Sequence, residues 1–99
     1  MAPTIDQLAK MGQKLRRHSI LMTTEAGSGH PTTCMSAADI MSVLFFSEMK
    51  FNPANPAQRD ADLFVLSKGH AAPIWYAALR ETGAIDDDLL TLRKFTSRL

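Results

Sequence analysis

The fold class predicted for this chain rests on residues 63–70, which are Leu63-Phe64-Val65-Leu66-Ser67-Lys68-Gly69-His70. The first four are apolar and lie between Asp62 and a Ser-Lys-Gly turn, a pattern typical of a short strand buried on both faces of a parallel sheet. The residues that follow predict a helix over 71–82, with Pro73 in its first turn and Gly83 at its end. A strand followed by a turn and a helix predicts an α/β fold.

This is the one convincing strand in the sequence, and a lone strand leaves its backbone donors and acceptors unpaired. We therefore expect residues 1–99 to be the opening part of an α/β domain, rich in helices, with one parallel-type strand and incomplete on its own. The helix predicted over residues 37–46 supports this view. It is apolar nearly all round, and such a helix is buried on most sides.

Three further elements complete the prediction. Thr4 and Gln7 form a capping-box pattern that begins a helix over about residues 4–22. Glycines, a proline and several hydroxyl side chains indicate a loop over residues 24–35, after which Ser36 caps the apolar helix. A last short helix is expected from residue 86 or 87 to about residue 94.

The composition restricts the function classes. Eleven Lys and Arg against ten Asp and Glu give a net charge of +1, which provides no broad attraction for nucleic acid or an anionic membrane. The single cysteine, Cys34, cannot form an internal disulfide. No apolar run approaches the ~20 residues that span a bilayer, and the first residues lack the layout of a signal peptide. We expect a cytoplasmic protein that binds neither nucleic acid nor membrane.

The first loop that could carry chemistry is Gly27-Ser28-Gly29-His30-Pro31-Thr32-Thr33. Its two glycines let the backbone bend sharply and let a ligand approach closely, and Pro31 restricts His30 to extended conformations. An imidazole held there could donate or accept a proton near neutral pH. The alternative is an ordinary turn at the start of a helix, with His30 as a surface residue.

The second such loop is Ser67-Lys68-Gly69-His70, placed between the predicted strand and the following helix. Ligands of open α/β sheets bind at this position, and the N–H groups at the start of the helix suit a phosphate. Lys68 and His70 add charge-assisted donors, and Gly69 permits close approach. The alternative is a solvent-exposed lysine and a histidine that caps the helix.

Other kinds of site have no support in the sequence. Three histidines and one cysteine without a close cluster do not make a zinc site, and we expect no metal ligand in this chain. The glycine-rich nucleotide loop of P-loop proteins is absent. Ser28 and His30 are near neighbours with no orienting acid, so they do not indicate a catalytic triad.

Three segments together resemble the amino-terminal part of the transketolase family. They are Ala26-Gly27-Ser28-Gly29-His30-Pro31-Thr32, Ser36-Ala37-Ala38-Asp39-Ile40 and Phe64-Val65-Leu66-Ser67-Lys68-Gly69-His70-Ala71-Ala72-Pro73. The resemblance extends over nearly the whole chain, with both histidine loops in order. It implies that residues 1–99 are the amino-terminal part of a diphosphate-binding domain of the type found in enzymes that use thiamine diphosphate.

The resemblance also implies specific roles. Transketolases use thiamine diphosphate and a divalent metal, usually Mg²⁺, to move a two-carbon ketol unit from a ketose phosphate to an aldose phosphate. His30 would face the substrate, bind its hydroxyl groups and assist proton transfer, whereas His70 would bind the cofactor near its diphosphate. Thr33 would contact the cofactor through its hydroxyl, Gly69 would serve by its shape, and Lys68 would add positive potential.

The family's metal ligands and its cofactor-activating glutamate are expected outside these residues. We therefore expect this chain to be inactive alone, and to work on sugar phosphates with the remainder of the enzyme or a complementing chain, in a homodimer of the pentose phosphate pathway. The alternative is a non-catalytic, truncated remnant that acts as a binding or dimerisation module. Intact His30 and His70 in glycine-containing loops favour the enzyme.

Overall fold

The computed structural model describes residues 3–55 and 58–99. Its α-helices are α1 (Ile5–Ala26), α2 (Pro31–Val43) and α3 (Ala72–Thr82). A π-helical turn, Leu44–Glu48, follows α2, a 3₁₀ turn, Gly69–Ala71, leads into α3, and a second 3₁₀ turn, Leu89–Thr91, lies near the C-terminus. Helix α1 packs against both α2 and α3, so the three helices enclose the core.

The predicted α/β class is wrong for this chain, because no β-strand occurs in residues 3–55 or 58–99. Residues 63–66 are extended, but Leu63 and Val65 are 87% and 75% exposed. Phe64 and Leu66 are partly buried and pack on the core. The segment therefore contacts the protein with one face instead of two, and no neighbouring segment pairs with it as a strand.

Helix α1 begins as predicted and ends later. The capping box forms, with Thr4 Oγ1 accepting from the Gln7 N–H at 3.1 Å and Gln7 Oε1 accepting from the Thr4 N–H at 2.9 Å. The helix continues beyond residue 22 to Ala26, because Thr23 is buried and its hydroxyl donates to the Ser19 carbonyl at 2.9 Å. Polar Thr23 is thus accommodated within the helix.

Helix α2 begins five residues before the predicted cap. Pro31 occupies the first helical turn. Proline is tolerated there because a backbone N–H at this position would have no intrahelical acceptor. The Ser36 hydroxyl donates to the Thr33 carbonyl at 2.9 Å, so Ser36 lies inside the helix and does not cap it. The predicted loop over residues 24–35 shrinks to residues 27–30. Within this chain the helix is not buried on all sides, since Ile40 is 62% exposed.

The crossing of α1 and α2 depends on the lack of a side chain at Gly12. A Cβ at this position would overlap Asp39 Oδ1. Asp39 in turn accepts two hydrogen bonds from the Arg16 guanidinium, at 3.1 and 2.9 Å. Arg16 also donates to the Met35 carbonyl at 3.2 Å, so one arginine joins the two helices at two points.

The C-terminal part of the chain is less helical than predicted. Gly83 ends α3 as expected. The short helix predicted up to about residue 94 is only the 3₁₀ turn Leu89–Thr91, which Asp88 caps by accepting from the Leu90 N–H at 3.0 Å. Arg93 then adopts a positive φ of 59°, which cannot continue a helix.

None of the helices in the described residues combines the length and apolar character that a membrane crossing requires.

Candidate functional site

His30 lies where the loop of residues 27–30 meets α2. Helix α1 ends at Gly27, and Gly29 has a φ of +128°, a conformation that side-chain-bearing residues rarely adopt. His30 itself has φ −126° and ψ 76°, outside the helical region, and is the N-cap residue of α2. Its side chain makes no capping hydrogen bond, so the imidazole is available for other contacts.

His70 lies one residue before the N-cap residue of α3. It is the middle residue of the 3₁₀ turn Gly69–Ala71, which runs directly into that helix. The next residue, Ala71, is 2% exposed and anchors the turn in the core, whereas His70 is exposed. The burial of Ala71 thus fixes the turn while leaving the His70 side chain at the surface.

The fold brings these two histidines together. The centroids of the His30 and His70 rings are 4.3 Å apart, with the ring planes inclined by 32°. The starts of α2 and α3 meet at this point, and the first N–H groups of a helix have no intrahelical acceptor. Both helix starts also carry partial positive charge. The arrangement therefore presents two imidazoles on one exposed surface, beside two positively polarised helix starts.

The remaining predicted site residues lie beside this pair in sequence. Thr33 is partly buried in the first turn of α2, three positions after His30. Lys68 is exposed immediately before the 3₁₀ turn and forms no ion pair within the described part of the chain. A Cβ at Gly69 would meet no atom within 4 Å. The functional roles of these residues remain predictions.

The electrostatic character of the site suits an anion. The groups at or next to the histidine pair are donors, namely imidazole, ammonium and backbone N–H. No carboxylate in residues 3–55 or 58–99 forms a hydrogen bond or ion pair with His30 or His70. The same described residues contain no group of three or more His, Cys, Asp or Glu side chains that could hold a metal ion. Such donors can bind a phosphate or a diphosphate.

His18 has a different environment from the other two histidines. Its Nε2 lies 2.7 Å from Glu81 Oε1, and its side chain is 27% exposed. Lys14 Nζ lies 3.1 Å from the other Glu81 oxygen. Burial raises the pKa of Glu81, but the hydrogen bonds from His18 and Lys14 outweigh it and leave that pKa below its ordinary value. A cavity of about 440 Å³ borders His18 and Glu81, away from the histidine pair.

One contact at the first histidine loop has no signal in the sequence. The Arg93 guanidinium donates to Ser28 Oγ at 2.8 Å, across a separation of 65 residues. Leu92-Arg93-Lys94 has the pattern of an ordinary solvent-exposed basic pair. Only the folding of the C-terminal segment against α1 places Arg93 beside the loop.

Comparison with known proteins identifies the family of the chain. A sequence profile described as "Transketolase, thiamine diphosphate binding domain" matches residues 8–98. Transketolase-like protein 2 of Bos taurus is 55% identical over 93 residues, which cover 93% of this chain and 15% of that protein. Transketolase of Mus musculus is 51% identical over 96 residues, which cover 96% of this chain and 15% of that protein.

Transketolase-like protein 1 of Bos taurus is 51% identical over 65 residues, which cover 66% of this chain and 11% of that protein. The chain thus spans about 15% of the length of the first two of these curated relatives. The profile match, in contrast, covers nearly all of the chain. The chain belongs to the transketolase family and corresponds to its N-terminal, thiamine-diphosphate-binding segment.

Proposed function

We propose that this chain supplies the two histidine loops of a transketolase that moves a two-carbon ketol unit from a ketose phosphate to an aldose phosphate. His30 faces the sugar substrate, and His70 binds the diphosphate end of the cofactor. The observation that carries this proposal is the 4.3 Å separation of the two rings, because a cofactor bound at His70 would hold its substrate within reach of His30.

The residues around His70 support the diphosphate assignment. His70 and Lys68 offer charge-assisted donors, and such hydrogen bonds to phosphate oxygens are stronger than those between neutral groups. The partial positive charge at the start of α3 also favours an anion. The open space above Gly69 leaves room for a phosphate to approach the backbone. Thr33 contributes a hydroxyl from the start of α2.

The role of His30 is proton transfer and orientation of the substrate. Its ring is next to that of His70, so a substrate held at the cofactor would be within its reach. A neutral imidazole can accept a proton from a sugar hydroxyl and later return it. Thiamine diphosphate supplies, when bound, the electron sink that carbanion chemistry of this kind requires.

The rest of the site is assigned to other residues of the enzyme. His30 and His70 are exposed, so this chain does not by itself exclude water from them. The proposal places the ligands of Mg²⁺ outside this chain and the complete site in a cytoplasmic homodimer. Its substrates are sugar phosphates of the pentose phosphate pathway.

Single histidine substitutions in a full-length transketolase that carries this segment test the proposal. We expect His70→Ala to weaken thiamine diphosphate binding by about tenfold or more, because it removes a hydrogen bond to a charged group. We expect His30→Ala to lower kcat by about a hundredfold while cofactor binding changes little. The control is His18→Gln, which retains a donor for Glu81 and lies outside the pair, and it should leave both quantities within about twofold.

The readouts are cofactor affinity by fluorescence titration and ketol transfer by steady-state kinetics. Equal effects of the three substitutions on both readouts would contradict the proposal, because they would indicate a general loss of folding. Absence of ketol transfer in the unsubstituted enzyme, with cofactor bound or not, would favour the alternative of a non-catalytic binding module.

A further inference from the structure

Arg93 lies against the two residues that precede His30. Its guanidinium donates to Ser28 Oγ at 2.8 Å, and a Cβ built on Gly29 would lie 3.5 Å from the same guanidinium nitrogen. Within residues 3–55 and 58–99, this is the one side-chain hydrogen bond that reaches the loop of residues 27–30. Among the described residues, Arg93 is thus the side chain that restrains this loop through a hydrogen bond.

The loop needs such a restraint. It contains two glycines, and glycine has more conformational freedom to lose than any other residue. The Thr23 carbonyl accepts from the N–H groups of Gly27 and Ser28, which fixes the start of the loop, and Pro31 fixes its end. Between them, the Arg93 contact holds the segment from which the His30 side chain projects.

The backbone of Arg93 is itself held in an unusual conformation. Its φ of 59° is uncommon for a residue with a side chain, and such conformations persist only where the surroundings impose them. The Arg93 N–H donates to the Leu99 carbonyl at 3.1 Å, and the preceding residue, Leu92, is 2% exposed. On the other side, Lys94 Nζ lies 2.8 Å from Glu25 at the end of α1. These contacts aim the guanidinium at the loop.

We infer that Arg93 is a positioning residue for His30, acting through Ser28. The inference rests on the proposed function, because it assumes that His30 faces the substrate. Arg93 has no assigned contact with substrate or cofactor in this account. Its effect is to keep the His30 imidazole beside His70, and a small misplacement of a reacting group can lower a rate by about a hundredfold.

The test uses a full-length transketolase that carries this segment. Arg93→Met removes the N–H donors of the guanidinium and keeps an unbranched, flexible side chain. We expect it to lower kcat by about tenfold to a hundredfold, with thiamine diphosphate affinity changed by less than about twofold. Ser28→Ala removes the acceptor from the other side and should produce a similar fall. The double variant should fall no further than either single variant, because both remove the same interaction.

Lys94→Met is the matched control. It removes the same charge from the neighbouring residue, which pairs with Glu25 and makes no contact with Ser28. We expect its kcat to stay within about twofold of the unsubstituted enzyme. The inference is overturned if Arg93→Met behaves like Lys94→Met, or if the effects of Arg93→Met and Ser28→Ala simply multiply. If Arg93→Met does not fold, Ser28→Ala is the test, and an unchanged kcat in Ser28→Ala overturns the inference.

The same experiment separates this inference from the proposed function. If His30→Ala lowers kcat as expected and Arg93→Met does not, the positioning role fails and the proposed function stands. If His30→Ala also leaves kcat unchanged, the role of His30 fails and the inference fails with it.

Discussion

Gly29 shows how one residue controls the geometry of the His30 loop. Its φ of +128° is strained for any residue with a side chain, and a Cβ there would lie 2.6 Å from Thr23 Cγ2. Thr23 cannot move aside easily, because it is 7% exposed and its hydroxyl donates to carbonyls of α1. Both the conformation and the close approach therefore require glycine at this position.

Substituting this glycine should destabilise the chain. We expect Gly29→Ala to lower the free energy of unfolding by about 2 kcal/mol, from backbone strain together with the clash at Thr23. Gly69→Ala, in the other histidine loop, is the matched control and should cost less than about 0.5 kcal/mol, because a Cβ there meets no atom within 4 Å. Urea denaturation of the two variants measures both values, and equal losses would contradict this account of Gly29.

The histidine pair and Arg93 mark what the sequence can and cannot reveal about the site. His30 and His70 could be singled out because each lies in a short glycine-containing motif beside a helix start, and the fold does bring the rings together. Arg93 could not be singled out from the sequence, because its contact with Ser28 spans 65 residues. The residues next to Arg93 in the sequence have an ordinary solvent-exposed pattern. A local pattern identifies a loop, whereas a contact between distant segments requires the fold.

At the scale of elements, residues 63–66 show why the strand prediction failed. Four consecutive apolar residues are typical of a doubly buried strand, but the same run also occurs in an extended segment that buries alternate side chains. Phe64 contacts Phe45 and Trp75, with ring centroids 5.1 and 5.8 Å apart, while Leu63 and Val65 point to solvent. Without a partner strand, the packing of Phe64 and Leu66 on the core determines which face is buried.

This one-sided burial can be measured by substitution. In this chain, we expect Phe64→Ala to lower the free energy of unfolding by about 2 kcal/mol, because it removes a partly buried ring from an aromatic cluster. Leu63→Ser and Val65→Ser should each cost less than about 0.5 kcal/mol, since both side chains are largely exposed. Thermal unfolding checks the three variants, and comparable losses at all three positions would mean that both faces are buried.

A second element-scale feature is the polar contact between α1 and α3. Glu81 on α3 binds His18 and Lys14 on α1, and its pKa lies below the ordinary value of 4.5. A lowered pKa means that the Glu81 carboxylate binds a proton less tightly in the folded chain than in the unfolded chain. The stabilisation from this contact is therefore complete above about pH 4.5 and is lost as the pH falls through the lowered pKa.

Acid unfolding of a Glu81 variant tests this contact. We expect Glu81→Gln to lower the free energy of unfolding at pH 7 by about 1–2 kcal/mol, because hydrogen bonds to a charged group are lost. The difference between this variant and the unsubstituted chain should shrink as the pH falls through the lowered pKa of Glu81, where the carboxylate takes up its proton. Glu48→Gln, at an exposed position, is the control. A Glu81→Gln difference that stays constant as the pH falls through that pKa would show that the carboxylate charge is unimportant.

At the scale of the whole molecule, the sequence predicted the helices better than their ends or the fold class. The capping pattern of Thr4 and Gln7 located the start of α1, because capping is a local interaction. The start of α2 was misplaced, since Pro31 and Thr32 fit both a loop and a first helical turn. The assumption of a sheet failed because one apolar run cannot indicate whether a partner strand exists. Local interactions such as helix caps can be predicted from the sequence, whereas the pairing of distant segments cannot.

The proposed site requires that His30 and His70 are neighbours in the folded chain. The chain contains three histidines, so selective labelling of histidine rings gives three sets of NMR signals, with His18 as an internal reference. We predict a nuclear Overhauser effect between the ring protons of His30 and His70, assigned through His30→Ala and His70→Ala, and none from either ring to His18. A folded chain in which the His30 and His70 rings show no such effect would contradict the account.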